Sequence, residues 1–220
     1  MMDQLEQTSD SIRDYMEAVN SARDQAYQRS RALTSTCSRA IRAIHREEWE
    51  LAHDLMEQAR SQARAMVEDV GGYPELYYTG YTQDALKEFV EAYLTHALVR
   101  HQPLPTPDEL SVEPNTWLNG LAEAATELRR RILDIIRHGY SDEVERLLDA
   151  MDEIYSILVT FDFTDSITGG LRRRTDVLRG VLERTRGDVT TSLRQAELER
   201  ALEAVERRLG KAQSGRLSDG

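Results

Sequence analysis

The sequence predicts an all-α protein, an antiparallel bundle of six to seven helices. Two observations lead to this prediction. Long stretches rich in Ala, Leu, Glu and Arg contain no proline, because the five prolines stand at positions 74, 103, 105, 107 and 114. No stretch alternates apolar β-branched with polar residues, as a half-buried strand does. Short connections between most of the helices favour the antiparallel arrangement.

Glycine, proline and polar caps set the bounds of each predicted helix. The first covers about residues 3–45, and the second covers about 47–70 and ends at Gly71-Gly72-Tyr73-Pro74. A segment with four prolines, 101–114, is predicted to be a loop with one short turn at 108–110. The other four helices are predicted at about 83–100, 115–138, 142–161 and 170–209.

These helices form one domain over residues 1–210, and we expect 211–220 to be a disordered tail. The composition, with 40% apolar and 30% charged residues, is that of a folded chain. A net charge of −11 argues against a strongly basic nucleic-acid-binding protein, so any such site should be a local basic patch. Lysine occurs only at 87 and 211, and this depletion fits either a halophilic source or high-GC codon usage.

The single cysteine and the absence of a long apolar run indicate where the protein works. Cys37 cannot form an intrachain disulfide, which favours a reducing compartment, and its place on the apolar stripe of the first helix predicts a core residue. No apolar run approaches the ~20 residues of a membrane span. The N-terminal residues are polar and acidic, unlike a signal peptide. We therefore expect a cytoplasmic protein with no membrane partner.

Two carboxylate pairs are the candidates for chemistry. Glu88 and Glu91 lie on one face of the third long helix, and Glu123 and Glu127 on one face of the fourth. Helical geometry places both pairs opposite the apolar faces, so the simplest interpretation is solvated surface charge. Paired carboxylates on facing helices can also hold a divalent metal beside a phosphate. That requires the polar faces of three helices, including the one that carries Asp152, to converge.

The sequence around these carboxylates resembles the translin family, and within it translin-associated factor X. Glu88-Phe89-Val90-Glu91-Ala92 is similar to the family's Glu-Tyr-Val-Glu-Ala motif. Asp152 falls where the family has an aspartate within Tyr-Asp-Gly-Phe, although Glu-Ile-Tyr follows it here. The resemblance covers most of the chain and is best from about 85 to 129. A second family pattern is matched by Val112, Pro114, Trp117, Leu118, Gly120, Glu127, Leu128 and Arg129.

The resemblance implies a translin-like helical fold, hollow particles of eight subunits and binding to single-stranded RNA or DNA. It also implies the activity of the factor X type, a magnesium-dependent endoribonuclease whose acidic residues face the particle's interior. Glu123 stands where the family has Asp or Glu and is the weaker member of the site, which could position water. The implied catalytic residues and ligands of Mg²⁺ (or Mn²⁺) are Glu88, Glu91, Glu127 and Asp152.

The sequence therefore favours an RNA-cleaving enzyme of this family that forms a homo-oligomer. The resemblance implies that this oligomer is an octamer. The alternative is a non-catalytic nucleic-acid-binding or scaffold subunit of the same family. The densest basic groups are predicted to contact phosphates, although arginines on helix surfaces also form ordinary ion pairs with Glu and Asp. These groups are Arg39, Arg42, Arg46, Arg172, Arg173 and Arg174.

Overall fold

The computed structural model describes residues 2–218, and the side chains of residues 2–208. Six long helices and three helices of one turn make up this part of the chain, which contains no strand, so the predicted all-α bundle is confirmed. In chain order they are α1 (Met2–His45), α2 (Trp49–Val70), α3 (Pro74–Tyr77), α4 (Gly80–Val99), α5 (Pro107–Leu110), α6 (Pro114–Ile136), α7 (Asp142–Leu158), α8 (Asp165–Thr168) and α9 (Leu171–Ser218).

The bounds differ from the predicted ones mainly at helix ends. The chain turns at Glu47, whose φ of 58° lies in the left-handed region, and α2 therefore begins two residues later than expected. The predicted turn in the proline-rich loop is confirmed as α5, which the Thr106 capping box starts. The last helix reaches Ser218 instead of ending near residue 209. Residues 219 and 220 lie outside the described residues, and the disorder expected for 211–220 stays a prediction.

Helix α4 runs through the middle of the bundle and packs against α1, α2, α6 and α7. Its apolar face is buried as the helical period predicted, and so is Cys37 on α1. Because helices surround α4, the side opposite its apolar face is also covered, and polar residues on that side come to lie inside the protein. The buried apolar residues of α4 are Ala85, Leu86, Phe89, Val90, Ala92, Tyr93, Leu94 and Ala97.

Gly120 allows α4 and α6 to approach each other closely. A Cβ atom at this position would lie 2.5 Å from Val90 Cγ1, closer than atoms can pack, and would make a tight contact of 3.1 Å with the Lys87 carbonyl oxygen. Only glycine fits there without moving one helix. This close approach positions the next turn of α6, which carries Glu123, beside the turn of α4 that carries Glu88 and Glu91.

The bundle covers only part of α1. Residues 2–18 are all exposed, and burial on this helix begins at Ala26. Leu5, Ile12 and Met16 are 58%, 53% and 59% exposed. The first helix thus extends as an arm beyond the core. No helix within the described part of the chain has the length and apolar character needed to cross a membrane.

Candidate metal centre between α4 and α6

Three carboxylates from the two helices meet in the bundle. Glu88 and Glu91 of α4 and Glu123 of α6 each offer an oxygen, and these atoms lie within 4.8 Å of one another. We call these residues the carboxylate trio. The surface interpretation of the two acidic pairs is therefore wrong for Glu91, since this side chain is buried. Glu88 and Glu123 are each less than a third exposed.

Burial changes the acidity of Glu91. Burial is the main cause that raises the pKa of this carboxyl, and the charges of Glu88 and Glu123 add to it, giving a value of about 9. Lys87 acts in the opposite direction without cancelling these effects. Glu91 therefore carries its proton at neutral pH when no metal is bound.

Cys37 of α1 lies near this group. Burial, followed by the charges of Glu88 and Glu91, raises the pKa of the Cys37 thiol far above its ordinary range. The thiol stays protonated and is a poor nucleophile. The prediction of Cys37 as a core residue is confirmed, and α1 covers the trio from its side.

Lys87 was missed as a site residue in the sequence. Its side chain is 8% exposed, and its ammonium donates to Glu88 Oε1 at 3.0 Å and to Glu123 Oε2. Burial lowers the pKa of Lys87, but the hydrogen bonds and charges of Glu123 and Glu88 outweigh it and leave that pKa above its ordinary value. The available signal was the rarity of lysine. Lys87 stands next to Glu88, and apart from Lys211 all other residues of the lysine and arginine type are arginine.

Arg174 of α9 holds the other side of Glu123. Its Nε donates to Glu123 Oε1 at 2.9 Å, and its Nη1 donates to Asn119 Oδ1 and to the Gly169 carbonyl, both at 3.1 Å. Both oxygens of Glu123 therefore accept from a cation. Arg174 was predicted to contact nucleic acid, yet the structure places it in an ion pair inside the site. The other predicted arginines have exposed side chains: Arg39, Arg42, Arg46, Arg172 and Arg173.

Glu127 lies next to the trio and pairs with a histidine. Its Oε2 is 2.7 Å from Nε2 of the buried His45 at the end of α1. The charge of Glu127 also contributes to the raised pKa of Glu91. His45 was missed because the five histidines form no metal-binding pair in sequence. The only available signal was its position one residue after Ile44 on the buried end of α1.

Asp152 is not part of the trio. It lies on α7, about half exposed, where Arg186 Nη2 of α9 donates to its Oδ1 at 2.6 Å. The structure thus brings together Glu88, Glu91 and Glu123, with Glu127 beside them. Glu123, the weaker candidate from sequence, is in the group, whereas Asp152 is in an ion pair outside it.

The donor set of the trio suits a hard divalent cation. Mg²⁺ prefers carboxylate and water oxygens at about 2.0–2.1 Å, so that opposite ligands lie about 4.2 Å apart. The observed limit of 4.8 Å between the trio's oxygens is only slightly larger. Small side-chain rotations or an intervening water would close this difference, and the residues present therefore fit such an ion.

Two solved structures match the chain in fold and in sequence. The crystal structure of AfC3PO superposes with a TM-score of 0.77 at 30% identity, over 84% of this chain and 96% of that chain. The structure of an AfC3PO–duplex RNA complex gives a TM-score of 0.73 at 31% identity, with the same coverage of both chains. Both matches include nearly the whole length of the solved chain.

Other comparisons are weaker in sequence. The crystal structure of apo-NeC3PO shares the fold, with a TM-score of 0.76 at 18% identity over 83% of this chain and 96% of that chain. An uncharacterized protein of Methanocaldococcus jannaschii is 29% identical over 194 residues, which span 87% of this chain and 86% of that protein. No protein-family model matches the chain.

Proposed function

The chain belongs to the translin/C3PO family, and we propose on this basis that it binds RNA and cleaves single-stranded RNA with the help of Mg²⁺ or Mn²⁺. The observation that carries the proposal is the carboxylate trio, because three acidic side chains converge at partly and fully buried positions. Clustering like charges away from water is unfavourable unless a cation offsets them. A similar protein, AfC3PO, has been solved with duplex RNA, which makes RNA the natural substrate to test.

Glu88, Glu91 and Glu123 would hold the metal, with Glu127 next to them. When bound, a divalent ion would polarise the scissile phosphate and lower the pKa of the attacking water. The chain's own residues determine where this happens. His45 fixes the position of Glu127 through the bond of 2.7 Å, and Arg174 fixes Glu123 through the bond of 2.9 Å. Asp152 as a ligand stays a prediction of the sequence resemblance.

A groove of about 300 Å³ lies beside Glu123 of the trio. Arg174 and the exposed Arg173 also line it. We propose that a phosphate of the RNA enters here and that Arg173 contacts it. Because arginine–phosphate contacts release counterions from the RNA, binding should weaken as salt increases.

The arm of α1 supports the proposal of a homo-oligomer. Leu5 and Ile12 continue, at the same spacing of seven residues, the stripe that is buried at Ala26 and Leu33. Such a spacing is typical of a helix that packs along another helix. We propose that a second copy of the chain covers this stripe in the oligomer, which the family resemblance makes an octamer.

Light scattering tests the assembly. Replacing Leu5, Ile12 and Met16 together by serine should lower the measured mass, since the three side chains are exposed in the single chain and their loss costs its fold little. Ile167→Ser is the matched control, because Ile167 is equally exposed but lies on α8. A monomer mass for the unmodified protein would contradict the proposal.

One observation favours the non-catalytic alternative. Both oxygens of Glu123 already accept from Lys87 and Arg174, as in a structural ion-pair network. In that case the protein would bind RNA and leave it intact.

A cleavage assay separates the two functions. Labelled single-stranded and duplex RNA are each incubated with the protein in Mg²⁺, in Mn²⁺ and in EDTA, and binding is measured in parallel. The enzyme hypothesis expects cleavage of the single strand that EDTA abolishes. Binding without cleavage would support a non-catalytic binding subunit, and absence of binding would contradict both RNA functions and leave the scaffold role.

A further inference from the structure

We propose that the Lys87 ammonium is an internal cation that competes with a divalent ion for Glu88 and Glu123. This inference rests on the proposed function, because the metal in the trio is part of that proposal. It adds a role for a residue of this chain: Lys87 sets how tightly the trio binds a divalent ion.

The contacts of Lys87 are those of a bound cation. Its ammonium bridges a carboxylate of α4 and one of α6, Glu88 and Glu123, and both belong to the trio. A divalent ion in the trio would require oxygens from these same two side chains. The two cations therefore share ligands and compete for them.

Burial keeps the ammonium in place. The Lys87 side chain is only 8% exposed, and it starts from the middle of α4, which other helices surround. A lysine on a surface could swing into water when a metal arrives, but this one has little room to do so. Ammonium and metal would then remain close and repel each other, and the repulsion weakens metal binding.

The same cation stabilises the site when no metal is present. Glu88 and Glu123 lie close together, and without Lys87 their negative charges would repel each other at partly buried positions. Within the trio, Arg174 contacts Glu123, through its other oxygen, and its second carboxylate partner is Asp84 at 3.8 Å. The Lys87 ammonium joins Glu88 to Glu123, so it substitutes for a metal in the unbound protein.

The test measures Mn²⁺ binding to the full-length protein by electron paramagnetic resonance, which counts free Mn²⁺ and does not depend on RNA cleavage. Lys87→Gln removes the competing charge, and it should bind Mn²⁺ at least about tenfold more tightly than the wild type, as expected for removing one positive charge near a divalent ion. Lys87→Arg keeps the charge and should keep the weak affinity. Arg129→Gln is the matched control, because Arg129 pairs α6 with Asp188 of α9 outside the trio, and it should leave Mn²⁺ affinity unchanged.

Three results would overturn the proposal. Equal or weaker Mn²⁺ binding by Lys87→Gln, with binding retained by the wild type, would refute the role of Lys87 and leave the metal site standing. Absence of Mn²⁺ binding in both proteins would refute the metal site as well. If circular dichroism shows that Lys87→Gln unfolds in EDTA, added Mn²⁺ should restore its helices, because the ion replaces the ammonium. Failure to restore them would also count against the proposal.

Discussion

The carboxylate trio and Asp152 both lie on amphipathic helices of this bundle, but in opposite surroundings. The trio lies between α4 and α6, where Glu91 is 7% exposed, whereas Asp152 on α7 is about half exposed and pairs with Arg186 of α9. The helical period places Glu88, Glu91 and Glu123 opposite apolar faces and Asp152 on the flank of one. The difference arises because α4 packs against α1, α2, α6 and α7, whereas α7 has one side open to solvent.

This difference determines what each set can do. An exposed ion pair such as Asp152–Arg186 contributes about 0–1 kcal/mol to stability, because water screens it. A buried carboxylate must be neutralised by a proton, a lysine or a metal. In the unbound protein the trio is neutralised by a proton and a lysine, since Glu91 is protonated and Lys87 bridges Glu88 and Glu123. The metal proposal therefore rests on the trio, whose oxygens lie within 4.8 Å of one another, and not on Asp152.

The largest effect is expected at the centre of the trio. Glu91→Gln keeps the shape and removes the ability to carry negative charge, so RNA cleavage in Mg²⁺ should fall by at least about 100-fold. RNA binding and the melting temperature should be retained, since Glu91 is already neutral at pH 7 in the unbound protein. The measurements are cleavage of labelled single-stranded RNA and melting of the same preparation. Cleavage at the wild-type rate would show that the trio is not the active site.

The next effect concerns the contact that brings the trio together. Gly120→Ala places a methyl group against Val90 and should destabilise the fold by about 1–3 kcal/mol, the usual cost of overpacking a core. Gly180→Ala is the matched control on α9, because nothing lies within 4 Å of its added Cβ atom. It should stabilise the protein by about 0.5–1 kcal/mol. Urea unfolding of both variants checks the contrast, and equal effects would contradict the close approach of α4 and α6.

The pH dependence of stability should distinguish the buried carboxyl from exposed ones. The pKa of Glu91 rises from an ordinary 4.5 to about 9 on folding, so the folded protein holds a proton that the unfolded chain has lost. This contribution to stability therefore falls as pH rises between these two values, by up to about 1.4 kcal/mol per pH unit. Urea unfolding in EDTA should show that Glu91→Gln lacks this decline.

An exposed glutamate provides the control for that measurement. Glu183→Gln changes a side chain on the solvent side of α9 that is 67% exposed, and it should follow the wild-type profile. If the Glu91→Gln profile also followed the wild type, Glu91 would not carry the buried proton.

The smallest effect is expected at the exposed pair. Asp152→Asn should change stability by less than about 1 kcal/mol, since it removes only a solvent-screened ion pair. Cleavage should persist, because Asp152 lies outside the trio. Loss of cleavage comparable to that of Glu91→Gln would instead support the ligand role that the sequence resemblance gives Asp152, and the trio would then be incomplete.

The sequence predicted most of the fold because its signals are local. Proline-free stretches, glycines and polar caps predicted the six long helices, and the helical period identified the buried apolar face of α4. Helix ends were less accurate, as at Glu47, where a single left-handed residue redirects the chain. The motif that contains Glu88 and Glu91 also drew attention to two of the three carboxylates that converge.

The sequence by itself determined the helices, the core residues and the acidic composition, since each depends on residues that are neighbours along one helix. Tertiary structure alone decided which carboxylates meet. Glu123 joins the trio and Asp152 does not, because α6 approaches α4 closely at Gly120 whereas Asp152 is paired with α9. It also decided the roles of Lys87 and His45, whose partners are 36 and 82 residues away along the chain. Burial and charge pairing depend on such distant contacts, and a helical period cannot report them.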